Sequence, residues 1–230
     1  MINCALCGAS DSQVVQLRDI FLWRSCQQQW LCAECESHFQ WIGETHCSTC
    51  GRLTHQLKET LCADCCRWLE NRQWQPHNYS LVTYNEGFKR WLIQLKGVGD
   101  IRVASYFSPQ LQKIYQQYRE AIWVPIPSSS HNLQTRGFNQ TTVILAEAKI
   151  PYQELLIYPT ETQKQALRTR QERLSRANPF EWNPNIVHQH IEEPIVLFDD
   201  VYTTGMTIYQ AEQVLKQHQI NVVQSITLAR

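Results

Sequence analysis

The chain has 230 residues, enough for one sizeable domain and a small module, and its 21 Lys+Arg balance its 21 Asp+Glu at a formal net charge of +0. That balance excludes a globally basic nucleic-acid binder. The start, M-I-N-C-A-L-C-G, has neither a cationic head nor an apolar core, and no apolar run reaches the roughly 20 residues that span a bilayer, so neither a signal peptide nor membrane insertion is expected and the compartment expected is cytoplasmic.

All ten cysteines fall between Cys4 and Cys66. Without an export signal, metal is a better account of them than disulfides. Eight form four C-x-x-C pairs: Cys4/Cys7, Cys32/Cys35, Cys47/Cys50 and Cys62/Cys65. Two residues between thiolates make a tight knuckle that presents both sulfurs to one tetrahedral ion, and two knuckles make one Cys4 zinc site. The order favours a tandem arrangement, the first two pairs on one zinc and the last two on another. A cross-braced pairing and a single occupied site are the alternatives. A redox role needs a thioredoxin-like βαβ context that the segment lacks. Cys26 and Cys66 are left over, with Cys66 placed to stand in for Cys65, and His38, His46 and His55 are surplus to eight thiolates. Residues 1–70 therefore read as a double zinc ribbon. They carry five Lys/Arg against eight Asp/Glu, a net of −3, the wrong sign for a phosphate backbone. Trp23, Trp30 and Trp41 could stack on single-stranded bases, but packing inside the module is the commoner fate of such rings. The role expected is structure or protein contact.

Residues 71–80, polar with one proline, read as a linker, and 81–230 as the second domain. A short strand is predicted over Leu81–Tyr84, then a helix over Glu86–Lys96 with Phe88, Trp91, Leu92 and Leu95 on one side. Lys96-Gly97-Val98-Gly99-Asp100 breaks it. Asp100 is placed to cap the next helix, and Ser108-Pro109 to start another as N-cap and first residue. Lys96, beside a glycine turn, either reaches a phosphate or is a solvated helix end. Residues 121–124 form an apolar strand, Pro125-Ile126-Pro127 stiffens its exit, and Ser128 to Ser130 follow. Arg136-Gly137-Phe138-Asn139-Gln140 then opens a helix through Val143, Ile144 and Leu145. A strand, a rigid loop and Arg-Gly before a helix suit an anion. Asn139 and Gln140 fit helix capping and surface polarity as well.

Gln165-Ala166-Leu167 leads into Arg168, Arg170, Arg173 and Arg176, then Asn178-Pro179-Phe180. Arginine forks match phosphate geometry, and a solvated basic helix is the competing account. Residues 182–194 are irregular and carry no assigned chemistry.

Ile195 to Phe198 is a continuous apolar run, the pattern of a strand buried on both faces. Asp199 and Asp200 follow at the carboxyl edge of the sheet, where open α/β sheets bind ligands. Thr203, Thr204, Gly205, Met206 and Thr207 make a hydroxyl-rich turn before a helix marked by Ile208, Ala211, Val214 and Leu215. Free N–H groups and the helix dipole suit a phosphate there. The acidic pair would repel a bare phosphate, but it suits sugar hydroxyls or a Mg²⁺ held among phosphates. A last strand is predicted over Val222–Leu228. The whole is an α/β fold, a parallel sheet with helices on both faces behind a small zinc-ribbon module.

The stretch Asp199 to Thr207 resembles the binding motif for 5-phosphoribosyl 1-diphosphate (PRPP) of type I phosphoribosyltransferases, with Asp199, Asp200, Thr203, Thr204, Gly205 and Thr207 matching position for position. With the V-P-I-P segment at 124–127, R-G-F-N-Q at 136–140 and the cysteine module in front, the chain resembles the ComF competence-protein family over most of its length. These are phosphoribosyltransferase-like proteins with an N-terminal zinc ribbon. The resemblance implies that Asp199 and Asp200 contact the ribose hydroxyls with Mg²⁺, and that the turn through Met206 holds the 5′-phosphate. It implies a pyrophosphate loop at Pro127 and Ser128, and functional Arg136, Gly137, Asn139 and Gln140. A hood over the ligand corresponds to Gln165, Arg173, Asn178 and Phe180, with Arg173 on the departing pyrophosphate, chosen over Arg170 on spacing alone. Zinc, PRPP with Mg²⁺, and single-stranded DNA or other competence proteins are the implied cofactors and partners in natural transformation. Phosphoribosyl transfer to an unnamed acceptor and non-catalytic PRPP sensing or adaptor work both remain open, because no residue stands out as a general base.

Overall fold

In a computed structural model that describes residues 2–11, 30–54, 61–159, 178–186 and 191–230, the chain opens with a small antiparallel pair, β1 (Ile2–Asn3) and β2 (Ser10–Asp11). Among the described residues the cysteine-rich segment contributes helices α1 (Ala33–Ser37) and α2 (Ala63–Arg72). The main sheet begins with β3 (Asn78–Val82). Then come α3 (Glu86–Ile93), a π-helical turn over Gln94–Val98, a 3₁₀ segment over Ile101–Phe107 and α4 (Ser108–Gln117). Strand β4 (Ile122–Pro125) leads to α5 (Ser130–Arg136) and α6 (Gln140–Glu147). A short antiparallel pair, β5 (Leu156–Ile157) and β6 (Glu181–Trp182), precedes β7 (Ile195–Val201), α7 (Met206–Gln217) and β8 (Val222–Ala229).

The four long strands lie in the order β3-β8-β7-β4, parallel throughout. Side chains alternate along a strand, and β7 shows what that does in a sheet covered on both sides. Val196 and Phe198 join a cluster with Phe88, Trp91, Phe107, Leu111 and Trp123. Ile195 and Leu197 join the opposite one, with Val124, Ile208, Ala211, Val214 and Leu215 from α7. Helices on both faces of a parallel sheet are thus present as expected. The edge of β3 is covered by the cysteine segment, where Ile42 N donates to Leu81 O at 2.9 Å and Thr83 N to Gln40 O at 2.9 Å.

Three local expectations give way. The first strand starts at Asn78, inside the stretch that reads as linker, because the polarity of Asn78 and Ser80 is satisfied internally. Asn78 Nδ2 donates to Ser80 Oγ at 2.8 Å and to Cys50 O at 3.2 Å, and Ser80 Oγ meets Thr227 Oγ1 at 2.7 Å. Ser108 is not an N-cap. The 3₁₀ segment runs straight into α4, so Phe107 takes that position and Pro109 sits in the first turn. Helix α5 has no expected counterpart, for it buries none of its residues and so shows no apolar period. Among the described residues no helix is long and apolar enough to cross a membrane.

Candidate ligand site and cysteine clusters

Because β4 and β7 are parallel neighbours, their exits share one edge of the sheet. Ile126 N donates to Phe198 O at 2.8 Å and extends the pairing one step beyond β4. The aspartates are not beyond β7 but inside it, with Asp199 in register with Thr227 on β8. Strand alternation then sends the two carboxylates to opposite faces.

Asp200, 4% exposed, points to the face that carries α3 and α6. Lys96 Nζ lies 2.6 Å from its Oδ2, and Gln140 Nε2 donates to its Oδ1 at 3.2 Å. Ser128 Oγ is within 3.0 Å of Asn139 Oδ1 and 2.8 Å of Gln140 Oε1. Asn139 Nδ2 donates to Ile126 O at 3.2 Å, and Arg136 Nη1 reaches Gln140 Oε1 at 3.4 Å. The structure thus brings Ser128, Arg136, Asn139, Gln140 and Asp200 into one network. Asn139 does cap α6, its Oδ1 accepting from Thr141 N, yet it and Gln140 are buried, so surface polarity does not describe them. Gly137 closes α5 in the left-handed region at φ 79°, and Pro127 is half-buried in the loop before Ser128. Lys96 is no solvated helix end. The π-helical turn that replaces the last helical turn aims it at Asp200.

Asp199, 8% exposed, accepts from Asp200 N at 2.9 Å through Oδ1. Burial, then the charge of Asp200, drives its carboxyl well above the usual range, so the pair does not stand as two free anions.

Past β7, Thr203 and Thr204 are exposed and Gly205 is buried. Gly205 takes φ 87° as the N-cap of α7, and a side chain there would run into Tyr202 Oη. Met206 N donates to Thr204 Oγ1 at 3.3 Å, and the first-turn N–H groups of α7 have no intrahelical acceptor. Sequence reasoning missed the backing of this turn. Trp68 Nε1 donates to Thr204 O at 2.7 Å, and Arg230 donates to Thr203 O and, at 3.3 Å, to Tyr202 O. Neither residue lies in a motif, so only the fold reveals them. A cleft of about 310 Å³ lined by Asp64, Arg67, Trp68, Asn71, Arg72 and Thr204 opens beside the turn. Arg173, like Gln165 and the other arginines of that run, lies outside the described residues. Asn178 and Phe180 are described: Asn178 Nδ2 donates to Gln210 O on α7 at 2.6 Å, and Phe180 is buried.

The cysteines gather as the tandem order predicts, Cys4, Cys7, Cys32 and Cys35 in one group and Cys47, Cys50, Cys62 and Cys65 in the other, the sulfurs of each within 4.8 Å of one another. A tetrahedral zinc with Zn–S near 2.3 Å requires sulfurs about 3.8 Å apart. The spacings fit: 3.7 Å for Cys7–Cys32, 3.8 Å for Cys47–Cys65 and 3.6 Å for both Cys50–Cys62 and Cys62–Cys65. Cys32 N and Cys62 N each donate to a sulfur of the preceding knuckle at 3.3 Å, which favours thiolates. The pair Cys50/Cys65 divides unequally: a hydrogen bond from Cys65, with help from Arg230, holds Cys50 down at about 4 against burial, and the same hydrogen bond pushes Cys65 up. Cys66 stays outside, its Sγ 3.9 Å from Leu61 O, and His46 bonds Gly43 O instead. Both groups can hold zinc.

A scan against protein-family models finds no match. Two curated relatives match nearly end to end. The chain is 30% identical to a competence protein ComFC of Streptococcus pneumoniae over 229 residues, covering all of both chains. It is 31% identical to a competence protein ComFC of Bacillus subtilis over 235 residues, covering 99% of this chain and 94% of that one.

Proposed function

The chain belongs to the ComFC family of competence proteins, and on that premise we propose that it acts in DNA uptake, in the cytoplasm, as a PRPP-binding, phosphoribosyltransferase-like protein. The observation that carries this reading is the Asp200 network at the edge shared by β4 and β7. It joins a buried carboxylate to two cations, Lys96 and Arg136, and two amides, just ahead of a hydroxyl-rich turn and a helix N-terminus. The ribose hydroxyls would meet Asp200, and the 5′-phosphate the N–H groups and hydroxyls of Thr203, Thr204, Gly205, Met206 and Thr207. The diphosphate, with its Mg²⁺, would lie over Pro127, Ser128 and Arg136, drawing Lys96 from Asp200. In a transfer reaction the C1–O bond to the diphosphate breaks as the acceptor bonds to C1, and pyrophosphate leaves with the electron pair. Arg173 and the Ser128 loop would stabilise that departing charge.

Binding without turnover is the second reading. It is favoured by the burial of both carboxylates and by a Lys96 that already neutralises Asp200. In it the protein senses PRPP, or works as an adaptor to single-stranded DNA or other competence proteins. Calorimetry with PRPP and Mg²⁺ tests both. Wild type binds, and Asp200→Asn weakens binding at least about tenfold, or about 1.4 kcal/mol. No heat from wild type, or an unchanged variant, rejects a working site. Pyrophosphate release with candidate acceptors then separates transfer from sensing.

A further inference from the structure

Between the second cysteine cluster and the Thr203–Thr207 turn stands the side chain of Arg230, only 4% exposed. Its Nη2 lies 3.6 Å from Cys50 Sγ and 3.5 Å from Asp64 Oδ2. Its Nη1 donates to Thr203 O and to Tyr202 O, and its guanidinium stacks 4.7 Å from the centre of the Tyr202 ring. A second link runs in parallel. Cys62 caps α2, Cys65 lies in its first turn, and Trp68, one turn further on, donates to Thr204 O. Three successive carbonyls, those of Tyr202, Thr203 and Thr204, are therefore gripped from the side of the cysteine cluster.

In a planar trans peptide the carbonyl and the next N–H point opposite ways. Fixing those three carbonyls aims the N–H groups of Thr203, Thr204 and Gly205 away from the cluster, toward the open side of the turn. We infer that Arg230 and Trp68 are positioning residues through which the Cys47/Cys50/Cys62/Cys65 cluster holds the turn's N–H groups in an array for a phosphate monoester. Four thiolates leave a divalent ion with excess negative charge, which would repel such an anion. Arg230 lies between the two and offsets that charge. The ligand class rests on the reading proposed above; the mechanical link does not.

The test uses the full zinc-loaded chain with Arg230→Gln, Arg230→Lys and Trp68→Phe, zinc content measured throughout. Backbone ¹⁵N relaxation by NMR needs no ligand and reads the order of each amide, hydrogen-bonded or not. Arg230→Gln and Trp68→Phe should keep both zinc ions and lower the order parameters of Thr203, Thr204 and Gly205 from about 0.85 to below about 0.6, with those of α6 unchanged. Arg230→Lys, which keeps charge but not the fork, should recover only part of that order. Unchanged order parameters at the turn, or an equal fall in α6, would overturn the inference. If Arg230→Gln loses zinc or fails to fold, Trp68→Phe decides alone. Ribose 5-phosphate is then titrated, with Mg²⁺-pyrophosphate as control. The expected result is about a tenfold loss for the first in Arg230→Gln and no change for the second. Equal loss of both overturns the inference. Wild type that binds neither probe defeats the PRPP reading, while the relaxation data still decide the link.

Discussion

The two cysteine clusters have the same ligands, the same knuckles and opposite surroundings. The first holds an exposed Cys7 and forms a small apolar group with Leu6, which links it to the rim of the core around Leu31 and Phe39. The second is part of the molecule's interior. Cys47 and Cys50 are 0% exposed and share a core with Val124, Ile126, Leu197, Tyr202 and Ile208. Equal coordination chemistry therefore has unequal consequences. A metal in the first would stabilise a peripheral knuckle, whereas a metal in the second would stabilise one face of the sheet and the turn it supports.

The largest test of that contrast compares Cys50→Ser with Cys7→Ser in thermal melts of the zinc-loaded protein. Cys50→Ser should lower global stability by at least about 5 kcal/mol, because it opens a metal site that is continuous with the core. Cys7→Ser should cost at most about 1–2 kcal/mol globally and act on the first knuckle. Equal shifts would end the distinction between a peripheral and an integral site. A smaller effect is expected at Gly205, where α7 begins against the second cluster's side of the molecule. Gly205→Ala places a methyl against Tyr202 Oη at φ 87° and should cost about 2–3 kcal/mol, read by chemical denaturation. A neutral result would mean that Tyr202 yields and that the turn is not rigidly backed.

What was legible in the sequence follows the same division. Local, periodic and motif-borne features could be read: the four knuckles and their tandem pairing, the β7 run, the α7 period, and the residues later joined around Asp200. Features made by distant partners could not. Asn78 reads as linker because its partners Thr227 and Cys50 are 149 and 28 residues away. Lys96 could not be assigned because Asp200 is 104 residues away and the π-helical turn that aims it leaves no signal in composition. Trp68 and Arg230 lie in no motif, and only the docking of α2 against the turn joins them. Whether Asp199 and Asp200 act on the same side depended on where the strand ended. The apolar run stops at Phe198, but hydrogen bonding continues to Val201, and those three residues turn the two carboxylates apart.

The smallest effect expected is a pH dependence at the α2–α7 contact, which belongs to the second cluster's side alone. Trp74 lies two residues past the end of α2, packs against Trp68 and Tyr209, and donates through Nε1 to Glu212 Oε2 on α7 at 2.6 Å. Burial pushes the Glu212 carboxyl up to about 7, with the Trp74 hydrogen bond and Lys216 opposing it. The folded state then keeps a proton that the unfolded chain releases near the usual carboxylate value, so the contribution of Glu212 to stability is greatest at low pH. It falls as pH rises from about 4.5 to about 7, by at most about 1.4 kcal/mol per unit, and levels off above. Asp199 contributes with the same sign, so the measurement is a difference: urea unfolding of wild type and Glu212→Gln across that window. The variant should remove part of the slope and leave the rest. Parallel curves would place the Glu212 carboxylate in contact with water when folded. The tryptophan-lined seam between α2 and α7 would then be looser than the buried cluster beside it, and the integral character of the second site would stop at Trp68.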